Sequence, residues 1–324
     1  MKDIIITNLD ADFSHSYVFR EGLFAAFCGL IGILPTLEKY QLKPYIIPKI
    51  KYYSTKEFDF NMIPHYIELN YIPKQIKTIL HTNFYNDFKN EFDKGYFFET
   101  EDKIIIDFQT LYCKVSGNDK YSENPSFKEA NYLFFKYYKF PNNIIDNINK
   151  IVNKQFTKNI LGLHYRGSDK ITDYQQNPLI LSKDEYILII EDYIKKNDIH
   201  EIFFATDSTT IIPYITNLQQ KYNLNIIIQD CIRFADGQIP FKNTGKNPIE
   251  LGTECLIDSI LLSKCNSLIL TNSALSAWSK VFNPELPTYK ISYFPYDWFP
   301  LGYIDYYKTD NDEIQQIINK KQQK

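Results

Sequence analysis

Cysteine is scarce in this chain of 324 residues: Cys28, Cys113, Cys231, Cys255 and Cys265 are odd in number, scattered, and form no Cys-x-x-Cys pair. That pattern argues against a zinc site or a disulfide framework and fits a reducing, cytoplasmic setting. A basic excess is also missing. The formal net charge is -3, which argues against a general nucleic-acid binder, since such proteins carry a lysine and arginine surplus on a patch or stripe. Long apolar runs are absent near the amino terminus. The longest uncharged stretch there, Leu23 to Leu37, contains Pro35 and falls short of the roughly 20 apolar residues that a bilayer span needs. Met1-Lys2-Asp3 runs into a strand-like segment and lacks the basic opening and cleavage pattern of a signal peptide. Glycine numbers only 11. The pair Gly245-Lys246 lacks the upstream glycine spacing and the following Ser or Thr of a phosphate loop.

What the chain has in abundance is aromatic: 26 Tyr and 24 Phe. Low-GC coding bias produces this enrichment without functional cause, and sugar-binding clefts favour the same residues, so the excess decides nothing. The length suffices for two domains of ordinary size. Asp3 to Leu9 reads as a first strand, Asp10 to Arg20 as a polar loop, and Gly22 toward Tyr40 as a helix that Pro35 kinks or breaks. Pro44 to Ile50 and Lys103 to Phe108 read as strands, and Phe127 to Tyr138 and Ile144 to Asn153 as helices. The segment Tyr52 to Glu101 mixes aromatics with charges and has no strong motif. It suits either one side of a binding cleft or variable surface.

From Asn159 the rhythm becomes regular. Strand patterns at Ile160 to Tyr165, Glu201 to Thr206, Asn225 to Gln229, Ser267 to Thr271 and Thr288 to Ser292 enclose helical patterns at Lys183 to Lys195, Thr209 to Tyr222 and Ile249 to Lys264. This is the signature of a parallel sheet covered by helices, and in such sheets ligands bind outside the carboxyl ends of the strands. Those ends carry His164 and Arg166, then Asp207 and Ser208, then Asp230, then Asn272 and Ser273. Asp and Ser are also ordinary helix caps, which is the plain reading of Asp207 taken alone. The turn Thr271 to Ser276, followed by a helix, offers backbone N-H groups and hydroxyls to a phosphate.

The densest chemistry lies in Asn159 to Asp173, a short apolar run followed by His164, Arg166, Ser168, Asp169, Lys170 and Asp173. A planar guanidinium and a flexible ammonium leaving one strand end make a clamp for phosphate oxygens. The competing reading is a surface ion pair between Arg166 and Asp169. Elsewhere, Glu250, Glu254 and Asp258 recur every four residues on one helix face, usually a solvated row, with Glu254 a weak donor contact. Asp10-Ala11-Asp12 offers hard oxygen ligands to a metal, but it follows the first strand, the wrong place for a metal-diphosphate motif, so no metal is expected.

The pattern His164-x-Arg166-x-x-Asp169-Lys170 after a buried strand resembles the first signature of the fucosyltransferase superfamily, which includes the alpha-1,6-, nodulation-factor and protein O-fucosyltransferases. The resemblance extends to Phe203-Phe204-Ala205-Thr206-Asp207 and to the helix and strand leading into Thr271-Asn272-Ser273. It implies an α/β fold of the GT-B-like kind, with two Rossmann-type domains facing a cleft: an acceptor-side domain at 1–155, and a donor nucleotide-sugar-binding domain at 156–324 ending in a helix. By analogy, that terminal helix crosses back to brace the first domain.

The activity it implies is an inverting, metal-independent transfer of fucose from GDP-fucose to a glycan or glycolipid acceptor, with no cofactor beyond the GDP-sugar. A glycolipid acceptor would bring the protein peripherally to a membrane. Arg166 and Lys170 would stabilise the leaving diphosphate and Asp173 would act as base, with Asp169 the runner-up. His164, Arg166, Asp169, Asp207, Asn272 and Ser273 would bind the donor, Asp207 as a partner for guanine or ribose. Many members carry a second arginine where this chain has Gly167. That departure leaves room for another GDP-sugar, of mannose or heptose type, or for a non-catalytic binder of the same fold.

Overall fold

The computed structural model describes residues 3–7, 23–39, 43–47, 66–70, 98–99, 103–107, 125–156, 159–168, 181–238, 245–292 and 299–321. The chain divides into two compact units, Met1–Ile145 with Asn247–Thr253, and Asp146–Lys246 with Glu254–Lys324.

In the first unit the strands β1 (Asp3–Thr7), β2 (Lys43–Ile47), β4 (Phe98–Glu99) and β5 (Lys103–Asp107) form a sheet of order β2-β1-β5-β4. Here β1 is parallel to β2 and β5, and β4 is antiparallel to β5. Helix α1 (Leu23–Lys39) continues through Pro35 instead of ending there. Leu23, Phe27, Leu30, Ile31 and Leu34 recur at helical spacing and are buried, so packing outweighs the one backbone hydrogen bond that proline removes. Phe27 meets Phe134 of α2 (Phe127–Tyr137) at 5.9 Å between ring centres. Lys136 and Tyr137 of α2 both bond Glu38 of α1. The short strands β3 (Glu68–Leu69) and β6 (Tyr138–Lys139) pair antiparallel.

The second unit is built on a sheet of five strands in the order β11-β10-β7-β8-β9, every neighbouring pair parallel. The helix α3 (Asn142–Gln155) leads into β7 (Ile160–Tyr165). Then follow α4 (Lys183–Asn197), β8 (Glu201–Thr206), α5 (Ile212–Tyr222), β9 (Asn225–Ile227), α6 (Pro248–Leu262), β10 (Ser267–Leu270), α7 (Ala274–Phe282) and β11 (Thr288–Lys290). Every residue of the central strand β7 is buried, as expected for a strand covered on both faces. Leu161 and Leu163 of β7 share a core with Tyr186, Ile189 and Ile190 of α4 and Ile202 and Phe204 of β8. Each such side chain contributes about 1.5–3 kcal/mol of burial.

The expected strands β7 and β8 match the structure to the residue, and the differences elsewhere have local causes. Strand β9 stops at Ile227 rather than Gln229, where the Arg233 guanidinium takes the backbone oxygens of Gln229 and Cys231 at 2.5 and 3.2 Å. Helix α5 begins at Ile212 rather than Thr209, because the Ser208 hydroxyl captures the Thr210 amide at 3.2 Å in a local turn. The expected turn Thr271 to Ser276 is shorter, with Ser276 buried inside α7.

The carboxyl-terminal helix is α8 (Asp312–Lys320). It lies on its own unit: Ile314 and Ile318 join the core around α4. The chain leading to it is tied to α4 as well, since buried Asp192 accepts the hydroxyls of Tyr307 at 2.9 Å and Thr309 at 2.7 Å. Trp298 lies outside the described residues.

Candidate functional site

The central strand is pinned at its exit from both sides. Thr206, ending β8, donates its hydroxyl to the Tyr165 carbonyl at 2.8 Å. Thr271, following β10, accepts the Arg166 amide on its hydroxyl at 2.8 Å and donates its own amide to the His164 carbonyl at 3.2 Å. The backbone of Arg166 is therefore fixed by strands on either side before its side chain makes any contact.

The residues after the exit close on one carboxylate. Asp207 Oδ1 accepts the Gly167 amide at 2.8 Å. Its Oδ2 accepts the Ser168 hydroxyl at 2.6 Å and pairs with the Arg166 guanidinium. Arg166 Nη1 also reaches the Ser168 hydroxyl at 3.4 Å. The charged pair is half-buried, with side-chain exposures of 19% and 18%, so it is screened less than a surface pair would be. Arg166 thus has Asp207 as its carboxylate partner, and Asp207 holds the turn instead of merely capping the next helix.

Steric fit locks the same turn. A β-carbon on Gly167 would lie 2.6 Å from Ser208 Cβ and 3.0 Å from Tyr165 Cε1. Ser168 adopts φ 46, the left-handed region, where a residue with a β-carbon costs about 1–2 kcal/mol. The bonds from Asp207 to the Ser168 side chain and from Gly237 N-H to the Ser168 carbonyl at 2.9 Å hold it there.

His164 is fully enclosed beneath this turn. Burial, reinforced by the Arg166 charge, lowers its pKa to about 3, so the ring is neutral. Among the described residues its Nδ1 has no hydrogen-bond partner. On the neighbouring strand, Asn272 donates its amide to Ser292 Oγ at 2.9 Å, and Ser273 is the N-cap of α7 in extended conformation with no side-chain cap bond. The first amides of α7 form the positive end of a helix dipole, an ordinary anion-binding feature. Since Thr271 touches Arg166 and is followed directly by Asn272 and Ser273, the guanidinium turn and this helix start leave adjacent strands at the same sheet edge.

A second cluster stands beyond β9. Asp258 was grouped with Glu250 and Glu254 as a solvated row, but it is buried, accepting Gln229 Nε2 at 3.0 Å. Burial raises its carboxyl to about 7, opposed by the Arg233 charge and the Gln229 hydrogen bond and assisted by Glu254. Glu254 pairs with Lys246 at 2.5 Å. The missed signal was the company Asp258 keeps in the second half of α6: Leu256, Ile257, Ile260, Leu261 and Leu262 are all buried, and a helical stretch apolar on every side has no solvated face.

Of the residues singled out from sequence, His164, Arg166, Asp207, Asn272 and Ser273 are described, and Arg166 and Asp207 are brought into contact. Asp169, Lys170 and Asp173 lie outside the described residues, as do Asp10 and Asp12. Among the described residues no helix is long and apolar enough to cross a membrane.

Neither a protein-family model nor a curated protein sequence matches the chain. Solved structures do. Fucosyltransferase NodZ from Bradyrhizobium superposes with a TM-score of 0.51 at 15% identity, over 87% of this chain and 92% of that one. NodZ alpha-1,6-fucosyltransferase soaked with GDP-fucose gives 0.50 at 15% identity, over 87% and 93%. POFUT1 in complex with GDP gives 0.50 at 10% identity, over 89% and 98%. What this chain shares with these fucosyltransferases is their α/β fold.

Proposed function

We propose that the chain is a glycosyltransferase that moves fucose from GDP-fucose to a glycan acceptor without a metal ion. The observation that carries this reading is the Arg166 turn, held by Asp207 at the carboxyl end of the central parallel strand and adjoining the start of α7. It supplies a fixed guanidinium and a set of helix amides, the two features that bind a diphosphate, within a fold shared with fucosyltransferases. The departing diphosphate would gain charge in the transition state, where a preorganised cation stabilises it most. Lys170 is assigned the same task from its place in the sequence motif, and Asp173 is assigned the role of base for the acceptor hydroxyl.

Asp258 suits the nucleobase. Strands β7 and β9 are separated by β8 alone, about 10 Å across the sheet, a span that a nucleoside diphosphate can bridge, and Gln229, which bonds Asp258, lies two residues beyond β9. Guanine presents adjacent N-H donors on one edge. A buried carboxylate is the acceptor that matches them, and uracil lacks that pair. Asn272 and Ser273 complete the donor side, with His164 packed beneath the turn and Asp207 acting through Arg166.

Gly167 favours a second reading in one respect. The positive contact that the resemblance leads one to expect at this position is absent, which suits a binder of GDP-sugars that transfers slowly or not at all, or a donor other than GDP-fucose. Thermal-shift titration separates these readings. GDP and GDP-fucose are expected to stabilise the protein with or without EDTA, by about 2.7 kcal/mol at one hundred times Kd, with UDP and CMP weaker. Release of fucose onto an acceptor distinguishes the transferase from the binder. Stronger stabilisation by UDP, or loss of binding in EDTA, would overturn the reading.

A further inference from the structure

The excursion after β9 lies directly against the Arg166 turn. Phe234 pairs with the exit of β8, donating its amide to the Asp207 carbonyl at 2.8 Å and accepting the Thr209 amide at 2.9 Å. The chain then reverses in a tight turn, Ala235 to Gln238, closed by Gln238 N-H on the Ala235 carbonyl at 3.1 Å and by the Gln238 side chain on the Ala235 amide at 2.9 Å. Gly237 stands at φ 83, a conformation that glycine adopts without strain. There its amide reaches the carbonyl of Ser168, itself left-handed, at 2.9 Å.

Asp236 fixes the corner of this turn. One oxygen takes Lys183 Nζ, at the first residue of α4, at 2.8 Å. The other takes the Thr210 hydroxyl at 2.7 Å and the Ser208 hydroxyl at 3.5 Å. Ser208 is the residue that fills the space beside Gly167. Asp236 therefore holds the Arg166 turn from two directions, through Gly237 onto Ser168 and through Ser208 onto Gly167.

We propose that Asp236, held by Lys183, is a positioning residue for diphosphate binding: it keeps the turn Gly167-Ser168 in the one conformation that places the Arg166 guanidinium against the phosphates. The proposal rests on the reading of Arg166 as the phosphate contact. Its consequence is selective. Loss of Asp236 should weaken recognition of phosphate and leave recognition of the base alone, whereas a merely structural role would weaken both.

Calorimetric titration with GDP and with guanosine tests this on the full chain, comparing Asp236→Ala, Lys183→Met, Lys183→Arg and Arg166→Ala with wild type. In Asp236→Ala the ratio of GDP to guanosine affinity is expected to fall roughly tenfold or more, as when the orienting partner of a metal ligand is removed. Lys183→Met should lower the ratio in part and Lys183→Arg should restore it. An equal loss for both ligands, or a wild-type ratio in Asp236→Ala, overturns the proposal. If Asp236→Ala does not fold, the Lys183 pair decides: a loss in Lys183→Met that Lys183→Arg repairs supports it, and no loss overturns it. Arg166→Ala separates the two levels. A wild-type ratio there removes the phosphate contact itself and the proposal with it, while a collapsed ratio beside intact Asp236 and Lys183 variants overturns the positioning role alone.

Discussion

Gly167 and Ser208 approach so closely that a β-carbon on residue 167 would sit 2.6 Å from that of Ser208. Ser208 cannot easily retreat, because its hydroxyl is bound to Thr210 at 2.9 Å and its backbone bridges Phe234. The arginine that the resemblance leads one to expect here has no room. Gly167→Ala is expected to lose about 1–3 kcal/mol of stability through overpacking. Adding Ser208→Gly should recover part of it, because the nearest clashing atoms are removed. Chemical denaturation of the two variants checks this, and a fully stable Gly167→Ala would contradict the packing.

Arg166→Ala is expected to weaken GDP binding by about 1.5–3 kcal/mol, the worth of a charge-assisted contact, with the fold intact. Asp207→Asn keeps an acceptor for the Gly167 amide but removes the charge facing Arg166. It should therefore reduce GDP affinity by less than Arg166→Ala does, and the double variant should be no worse than Arg166→Ala alone. A double-mutant cycle on GDP affinity measures this coupling. Additive losses would mean that Asp207 meets the donor independently of Arg166.

The buried carboxyl of Asp258 makes both stability and binding depend on pH. Its pKa is near 3.8 in the unfolded chain and about 7 in the folded protein, so between those values the folded state holds a proton that the unfolded state has released. Stability contributed by this group is therefore full below the lower value, falls as pH rises through the window, and is constant above it. Asp258→Asn should flatten the decline of Tm between about pH 4 and pH 7. GDP affinity should move the other way. On the proposed reading the ionised carboxylate would accept the guanine N-H groups, so affinity is expected to fall as pH drops below about 7, approaching tenfold per unit. Retention of the same pH profile by Asp258→Asn would separate the base from this residue.

For the acceptor side, Asp173→Asn is expected to keep GDP affinity, since no phosphate contact is lost, and to lower transfer by about 10²- to 10⁴-fold, the usual share of general base catalysis. Asp169→Asn should disturb donor binding or stability instead. Near-normal transfer by Asp173→Asn, with the loss appearing in Asp169→Asn at unchanged donor affinity, would exchange the two roles.

The second unit was legible because alternation of strand and helix is a local, periodic signal: β7 and β8 carry their own burial pattern along the chain, and the parallel order follows from the crossover helices. Arg166 was legible as chemistry, a lone guanidinium at a strand end. Its partner was not. Asp207 is forty residues away by sequence from the Gly167 amide that it accepts, and nothing in a Thr-Asp-Ser string says whether its carboxylate faces the next helix or the neighbouring strand's exit. Asp258 was misjudged because spacing by fours defines a face without saying what covers it. Asp236 was invisible for a similar reason: its value comes from Gly237 and Ser208, which act on the site through a backbone amide and a steric contact rather than through charge.

One contact at the far end of the chain gives the site an unexpected dependence. Lys321, one residue beyond α8, pairs with Glu185 at 3.2 Å. Glu185 is the acid of the capping box that opens α4, its carboxylate accepting the Ser182 amide at 2.7 Å. Between these two capping residues lies Lys183, the residue that grips Asp236. The last helix thus works as a doorstop, wedging the start of α4 so that Lys183 is presented at a fixed height. A chain cut before Asp312 would lose that wedge, and on the proposed reading its hold on a diphosphate would slacken with it.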